Sequence, residues 1–361
     1  MVQNEPETLS AVVQSCVQLL TENFPADWII IPSYEVGVES RRIADASLRV
    51  RSPDATEATL VIEAKRVLER RDVPTLAEQL SLHTKFFPNA WGVVAARYLA
   101  PSVREALAKR NLSYIDATGN QRLVVSRPGL FVSNRGADKD PWRGPGRPRG
   151  TLKGAPASRV VRTLIDMGGP WRIRELIECS GASTGATYRV VDYLEREGLL
   201  ARDGDGSLFL PSWRLLLQEW SKDYGFVRSN RTARYIDPRG LPALMDKVRT
   251  TPDMKYAVTG SLAAAEWAPY APPRTAQIYV ADADQAAQRW GLRPAENGAN
   301  VLLAEPETDV VFDRKLTNSS GIVIAQPGQV AVDLMTGPGR NPSEAEELMD
   351  WMERNESSWR L

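Results

Sequence analysis

The chain has 361 residues, with 45 basic and 45 acidic side chains, two cysteines and one histidine. That length points to two or three domains rather than one core. Two cysteines exclude a disulfide framework, and a lone imidazole, His83, excludes sites built from several histidines and argues against a Ser-His-Asp triad. The zero net charge hides a division. Residues 1–140 balance, residues 141–235 carry six excess positive charges, and residues 236–361 carry six excess negative ones. Concentrated positive charge is the electrostatic footprint of a phosphate-binding surface, so the acidic last third is not expected on DNA. Cys16 and Cys179 both sit at apolar-periodic positions and are expected as buried thiols. The start, MVQNEPETLS, lacks the cationic and apolar regions of a signal peptide, and no 18-residue apolar run occurs. A cytoplasmic location with no membrane partner is therefore expected.

Residues 8–22 have helical periodicity, with Val12, Val13, Cys16, Leu19 and Leu20 on one side. Strand-like runs follow in DWIIIPSYEV, RIADASLRVRS and ATLVIEAKRV, then a helix at 74–86, a strand WGVVAARY, a helix at 101–110 and strands LSYIDATG and QRLVVS. This α-β-β-β-α-β-α-β order predicts a mixed sheet flanked by helices. Side chains alternate along a strand, so Glu63 and Lys65 share a face, and Asp45 on a neighbouring strand completes a cluster of two carboxylates and one ammonium. Such a cluster can hold Mg²⁺ and orient a water for phosphodiester attack, with Glu35 or Glu39 as a further ligand and Gln79 on the following helix. The other reading is an ion pair of Glu63 and Lys65 on a strand surface.

The D-(x)n-E-x-K arrangement and the element order resemble the PD-(D/E)xK nuclease superfamily. The resemblance implies a restriction-endonuclease-like domain over residues 1–137, with Asp45, Glu63 and Lys65 catalytic and Asp45 and Glu63 holding Mg²⁺ if the domain is active. It departs from the pattern at Ala44, which replaces the usual residue before Asp45. The segment YIDATGN, with Tyr114, Asp116, Gly119 and Asn120, reads as a hairpin turn in which Gly119 supplies a positive φ. It also resembles a segment of bacterial proteins that fuse such a domain to a winged helix.

Residues 138–154 break periodicity with Gly, Pro and charge and read as a linker. Its RGPGRPRGTLKG stretch sets Arg143, Arg147, Arg149 and Lys153 on a backbone that cannot fold on itself. The GRPRG core resembles an AT-hook, which implies arginine insertion in a narrow minor groove; a plain cationic linker fits equally. Three helical segments follow, ASRVVRTLIDM, RIRELIECS and TGATYRVVDYLEREG, then LLARDGDGSLFLP as two strands around a turn. That order over residues 155–228 is a winged helix-turn-helix. Ser183 or Thr184 caps the third helix, Val190, Val191, Leu194 and Leu199 form its buried side, and Gly198 suits its exit. Thr184, Thr187, Tyr188 and Arg189 are left to meet bases and phosphates, with Arg172 and Arg174 on the second helix and Arg202 and Ser207 on the wing. The segment STGATYRVVDYLEREGLL resembles the recognition-helix region of bacterial winged-helix repressors. A winged helix that contacts only protein is the competing reading.

SWRLLLQEWSKDYGF reads as a helix whose Trp213, Leu216, Leu217 and Trp220 belong to the core, and RTARYIDPRG as a connector. The last region, 236–361, runs as a helix at 241–250, strand-turn-helix KYAVTGSLAAAEWAP, strand AQIYVA and helix DADQAAQRWGL. Strands NVLLAE, DVVFD, GIVIA and QVAVDLM follow, before a closing helix PSEAEELMDWMERN. AVTGSLAAAEWAPYAPPRTAQIYVAD resembles the start of the nucleotidyltransferase fold, which needs a D-x-D pair for two Mg²⁺. The matching places here are Gln277, Ile278 and Tyr279, and Asp309, Asp313 and Asp333 on later strands cannot restore the pair. The resemblance therefore implies a catalytically silent domain, with Gly260 and Ser261 kept for a tight turn.

A winged helix followed by such a domain and by DLMTGPGRNPSEAEELMDWM, over roughly residues 155–355, resembles the AbiEi-family antitoxins of type IV toxin–antitoxin systems. That resemblance implies a repressor of its own promoter with a nucleotidyltransferase toxin as partner. The expectation is thus an α/β multidomain chain: a sequence-specific DNA-binding regulator acting as a homodimer on double-stranded DNA, needing no cofactor to bind. The alternative is a Mg²⁺-dependent DNA nuclease targeted by the winged helix.

Overall fold

Helix α1 (Leu9–Glu22) begins where the Thr8 side chain accepts the Ala11 N–H at 3.1 Å, satisfying one orphan donor of the first turn. In the computed structural model the described residues are 5–38, 41–142 and 151–361, the side chains of 35–38 and 41–43 excepted. Two compact units divide the chain, residues 1–148 and, residues 196–198 apart, residues 149–361.

In the first unit α1 is followed by β1 (Ile29–Val38), β2 (Arg41–Arg51), β3 (Glu57–Lys65), α2 (Val73–Thr84), β4 (Ala90–Ala96), α3 (Pro101–Lys109), β5 (Ser113–Asp116), β6 (Gln121–Val125) and β7 (Leu130–Asn134). The described residues form a seven-stranded mixed sheet in sequence order. β3, β4 and β5 run parallel through the α2 and α3 crossovers, and the other neighbours pair antiparallel. α1 packs on one face, where Val12, Cys16 and Leu20 meet Leu48, Leu60 and Ile62. Burial there lifts the Cys16 thiol to about 12, leaving it an inert core group. α2 and α3 cover the other face over Val94 and Ala96. Because Leu60, Ile62 and Ala64 point to α1, alternation turns Glu63 and Lys65 toward α2. Strand β7 gives no clear sequence signal because it lies at the sheet edge with little buried side chain.

YIDATGN is a turn held from inside. The buried Asp116 carboxylate accepts the N–H groups of Leu99, Thr118 and Asn120 at 2.9, 2.9 and 3.1 Å, and Gly119 adopts φ 92°. Burial pushes the Asp116 carboxyl upward, and those hydrogen bonds oppose the shift.

The second unit opens with α4 (Ala155–Asp166), α5 (Ile173–Ser180), α6 (Thr184–Arg196), β8 (Ala201–Arg202), β9 (Leu208–Phe209) and α7 (Trp213–Asp223). It continues with β10 (Asn230–Ile236), α8 (Leu241–Arg249), β11 (Tyr256–Thr259), α9 (Gly260–Ala264), β12 (Ala276–Val280), α10 (Ala283–Arg289), β13 (Arg293–Pro294) and β14 (Val301–Pro306). β15 (Leu316–Thr317), β16 (Val323–Ile324), α11 (Pro327–Met335), α12 (Asn341–Arg354) and α13 (Glu356–Trp359) close it. A second sheet of the described residues has the order β13-β10-β14-β12-β11-β16-β15. The chain is therefore a mixed α/β protein, and among the described residues no helix is long and apolar enough to cross a membrane.

Three secondary-structure expectations fail in this unit. RTARYIDPRG is not a connector, because its first half is β10, paired with β13 and β14. DVVFD is a short 3₁₀ turn over Asp309–Phe312, not a strand. QVAVDLM is helix α11, so Asp333 lies on a helix. The last error has a clear cause: Pro327–Leu334 is buried on every side, and an apolar run without an exposed face shows neither period.

Residues 155–228 and the acidic region share one core. Leu164, Leu194, Trp213 and Trp220 belong to the same buried cluster as Ile278, Val301 and Leu348. Polar groups cross that core as well. Arg162, wholly buried on α4, donates to Asp166 at 2.7 and 3.0 Å and to Gln329 of α11 at 2.8 Å. Gln329, Thr259 and Tyr279 in turn donate to the buried carboxylate of Asp333.

Burial lifts Asp333 to about 7, against the hydrogen bonds that lower it. The folded chain thus holds a proton that the unfolded chain releases above about pH 4. Stability from this group is fully present below about pH 4 and is lost as pH rises to about 7. Denaturant midpoints are expected to fall across that window, and Asp333→Asn, which cannot ionise, to lack that part of the fall. Equal pH slopes for the two proteins would refute this.

Candidate nucleic-acid interface

α4, α5 and α6 follow one another where a winged helix is expected, and β8 and β9 pair antiparallel as a hairpin. Trp171 bridges to Leu208 and adds a third strand position beside it. Gly181 ends α5 in the left-handed region at φ 61°, which a side chain would resist. α6 then buries Ala186, Thr187, Val190, Val191 and Leu194. Each fully buried Val or Leu contributes about 1.5–3 kcal/mol, enough to fix the helix rotation. Gly198 makes the exit at φ 65°.

That rotation decides which expected contacts survive. Thr184, Tyr188 and Arg189 are exposed, together with Gly185, along the N-terminal half of α6. Thr187 is not: it is fully buried, and its hydroxyl donates to the Ser183 carbonyl at 3.1 Å. Thr187 therefore cannot read a base; at three and four residues from the buried Val190 and Val191 it lies on the inward side.

The wing also differs from expectation. Ser207 is buried, and its N–H donates to Asp203 at 2.8 Å. Arg202 is exposed, but its guanidinium donates to Glu195 at 2.7 Å and to the Gly206 carbonyl at 3.2 Å. The wing tip thus presents Asp203 and Asp205, carboxylates that repel phosphate. Cys179, expected buried, is exposed on α5, and Arg172 and Arg174 are exposed as expected. Lys153 is exposed ahead of α4, while Arg143, Arg147 and Arg149 lie outside the described residues.

Charge refines the picture. Residues 155–228 hold ten basic and ten acidic side chains, so the positive excess comes from the arm, Arg231 and Arg234. The positive charge thus lies mainly in residues 143–153 rather than in the helices of residues 155–228.

The first unit gathers its candidate residues at the β3–α2 face. Glu63, 6% exposed, accepts from Lys65 Nζ at 2.9 Å and from Gln79 Nε2 at 2.7 Å. Its other oxygen lies 3.6 Å from His83 Nδ1. Continuing the β2–β3 register one residue beyond Ala46 and Ile62 sets Asp45 opposite Glu63, and Asp45 accepts the Ala64 N–H at 2.7 Å. The Glu63–Lys65 ion pair expected by the other reading is therefore present, with the Glu63 side buried rather than at the surface. His83 was missed as a member of this cluster, although it follows Gln79 by four residues on α2 and so shares its helix face. Glu35 and Glu39 lie outside the described side chains.

Two carboxylates on adjacent strands are hard oxygen donors of the kind Mg²⁺ takes, with water completing its shell. Among the described residues no group of three or more His, Cys, Asp or Glu could hold a metal. No family model, curated protein or solved structure matches the chain. Function therefore rests on these two sites.

At the positions where the nucleotidyltransferase resemblance expects metal ligands, Gln277 and Tyr279 stand on β12. The Tyr279 hydroxyl is spent on Asp333 and Tyr224, both at 2.8 Å. Gly260 takes φ 64°, and a Cβ there would fall 2.0 Å from Gln277 Oε1, so the tight turn requires glycine.

Proposed function

We propose that the chain is a sequence-specific DNA-binding transcriptional regulator that lays α6 in the major groove and its basic arm in the adjacent minor groove. The α6 face carries this reading: Thr184, Gly185, Tyr188 and Arg189 are exposed together at the N-terminal half of a helix whose other side is locked into core. Recognition helices meet base edges with that half, and small or hydrogen-bonding side chains fit the groove floor. A homodimer would match a palindromic operator. The AbiEi resemblance adds that the target would be the chain's own promoter and that a toxin would be its partner.

Purified protein is expected to shift its own upstream DNA at low salt. Tyr188→Ala or Arg189→Ala should weaken the specific complex by about 1–3 kcal/mol, whereas Thr187→Val should leave it unchanged. A Thr187→Val loss equal to that of Arg189→Ala, in a protein of normal stability, would count against this helix orientation.

The Glu63 cluster favours one second reading, a Mg²⁺-dependent DNA nuclease. Asp45 and Glu63 would hold the ion, which supplies Lewis-acid activation of a water. Lys65 would place positive charge beside the phosphate, and Gln79 orients Glu63. Asp45→Ala and Lys65→Ala should abolish cleavage while sparing DNA binding; no cleavage of linear, nicked or supercoiled DNA in Mg²⁺ or Mn²⁺ removes the reading.

A further inference from the structure

The second unit contains a cavity of about 710 Å³ with an unusual lining. Its walls bring together three guanidinium groups, Arg234 from β10, Arg274 ahead of β12, and Arg340 at the start of α12. Arg340 is already engaged: it donates to Glu344 at 2.6 Å and to the Pro272 carbonyl at 2.5 Å, which fixes its place. Arg234 and Arg274 are exposed, and neither guanidinium has a hydrogen-bond or ion-pair partner among the described residues. Only Glu296 brings an opposing charge to the rim itself.

Gln277 separates this place from an ordinary basic surface. Its side chain reaches the same cavity, yet the residue is only 6% exposed, and its amide has no hydrogen-bond partner among the described residues. The amide is not sealed off: it meets solvent through the cavity, where a ligand can take the place of water. Gly260 makes room for it, since a Cβ there would collide with Gln277 Oε1. The Gln277 Oε1 thus lies beside the Gly260 backbone of the β11–α9 turn, in space that a side chain would fill. Phe226 and Leu302 give the cavity an apolar side.

We infer that this cavity binds a small organic phosphomonoester. Arginine forks suit a phosphate group, singly or in pairs. The volume is that of a metabolite site, far larger than inorganic phosphate needs. The Gln277 amide offers one donor and one acceptor to the organic part, and the apolar side covers it. The acidic balance of residues 236–361 makes the local arginine cluster more distinctive, because it opposes the charge of the region around it.

Isothermal titration of the full chain with adenosine 5′-monophosphate, ribose 5-phosphate and inorganic phosphate tests this. Binding of either organic phosphate, one per chain and tighter than inorganic phosphate, is expected, and the better of the two identifies the organic part. The Arg234→Ala/Arg274→Ala variant should bind at least tenfold more weakly, and so should Gln277→Met. Both arginines are exposed, so the double variant tests the site even if Gln277→Met fails to fold. The inference is overturned if neither organic phosphate binds at millimolar concentration, if inorganic phosphate binds as tightly, or if the double arginine variant binds like the parent.

Discussion

Replacing Arg162 by Met is expected to lower the stability of residues 149–361 by about 3 kcal/mol. Arg162 is fully buried and gives two hydrogen bonds to Asp166 and one to Gln329. Burial alone would make its guanidinium easier to deprotonate, and the Asp166 charge beside it reverses that tendency. Removing one partner of a buried ion pair leaves the other charge uncompensated, which usually costs about 3–5 kcal/mol. The low end applies because Arg314 also reaches Asp166, at 3.1 Å. Adding Asp166→Asn should recover part of the loss, since the carboxylate that Arg162 paired with is then gone. Calorimetry or denaturant titration reads both effects. Because Arg162 joins α4 to α11, the winged-helix and acidic segments are expected to unfold together; two separate transitions within residues 149–361 would contradict the shared core.

Neutralising Arg143, Arg147, Arg149 and Lys153 to Gln should produce the larger functional effect. Each phosphate contact adds about 0.9 to the slope of log affinity against log salt, so four lost contacts reduce it by about 3–4. Extrapolated to 0.15 M salt, affinity should fall on the order of a thousandfold. This loss should be similar for specific and unrelated DNA, whereas Arg189→Ala should hurt the specific site more. Fluorescence anisotropy at several salt concentrations separates the two. An unchanged slope would place the phosphate contacts elsewhere and remove the arm from the interface.

Much of the α6 interface is legible in the sequence. Val190, Val191 and Leu194 mark the buried stripe of α6, and Gly198 marks its end, because helical periodicity and a positive φ leave local signatures. The same stripe, read one residue too narrowly, left Thr187 outside; a threonine fits either environment once its hydroxyl can donate to a carbonyl four residues back. Arg202 likewise reads as a free wing cation until Glu195, seven residues earlier, is found beside it. Alternation placed Glu63 and Lys65 on one face and the following helix offered Gln79, but only the packing of α2 over β3 brought His83 to Glu63.

The sequence by itself determined most local elements, the charge division and the order of three helices and a hairpin after residue 154, because each depends on neighbours within a few turns. Tertiary structure alone decided that α11 is a helix, that β10 pairs inside a sheet and that residues 155–361 share one core. It also decided that Arg234, Arg274, Arg340 and Gln277, distant in sequence, line one cavity. Those outcomes depend on burial and on partners dozens of residues away. A run buried on every side has no exposed face to set its period, and a guanidinium's partner is fixed by the fold that brings it near.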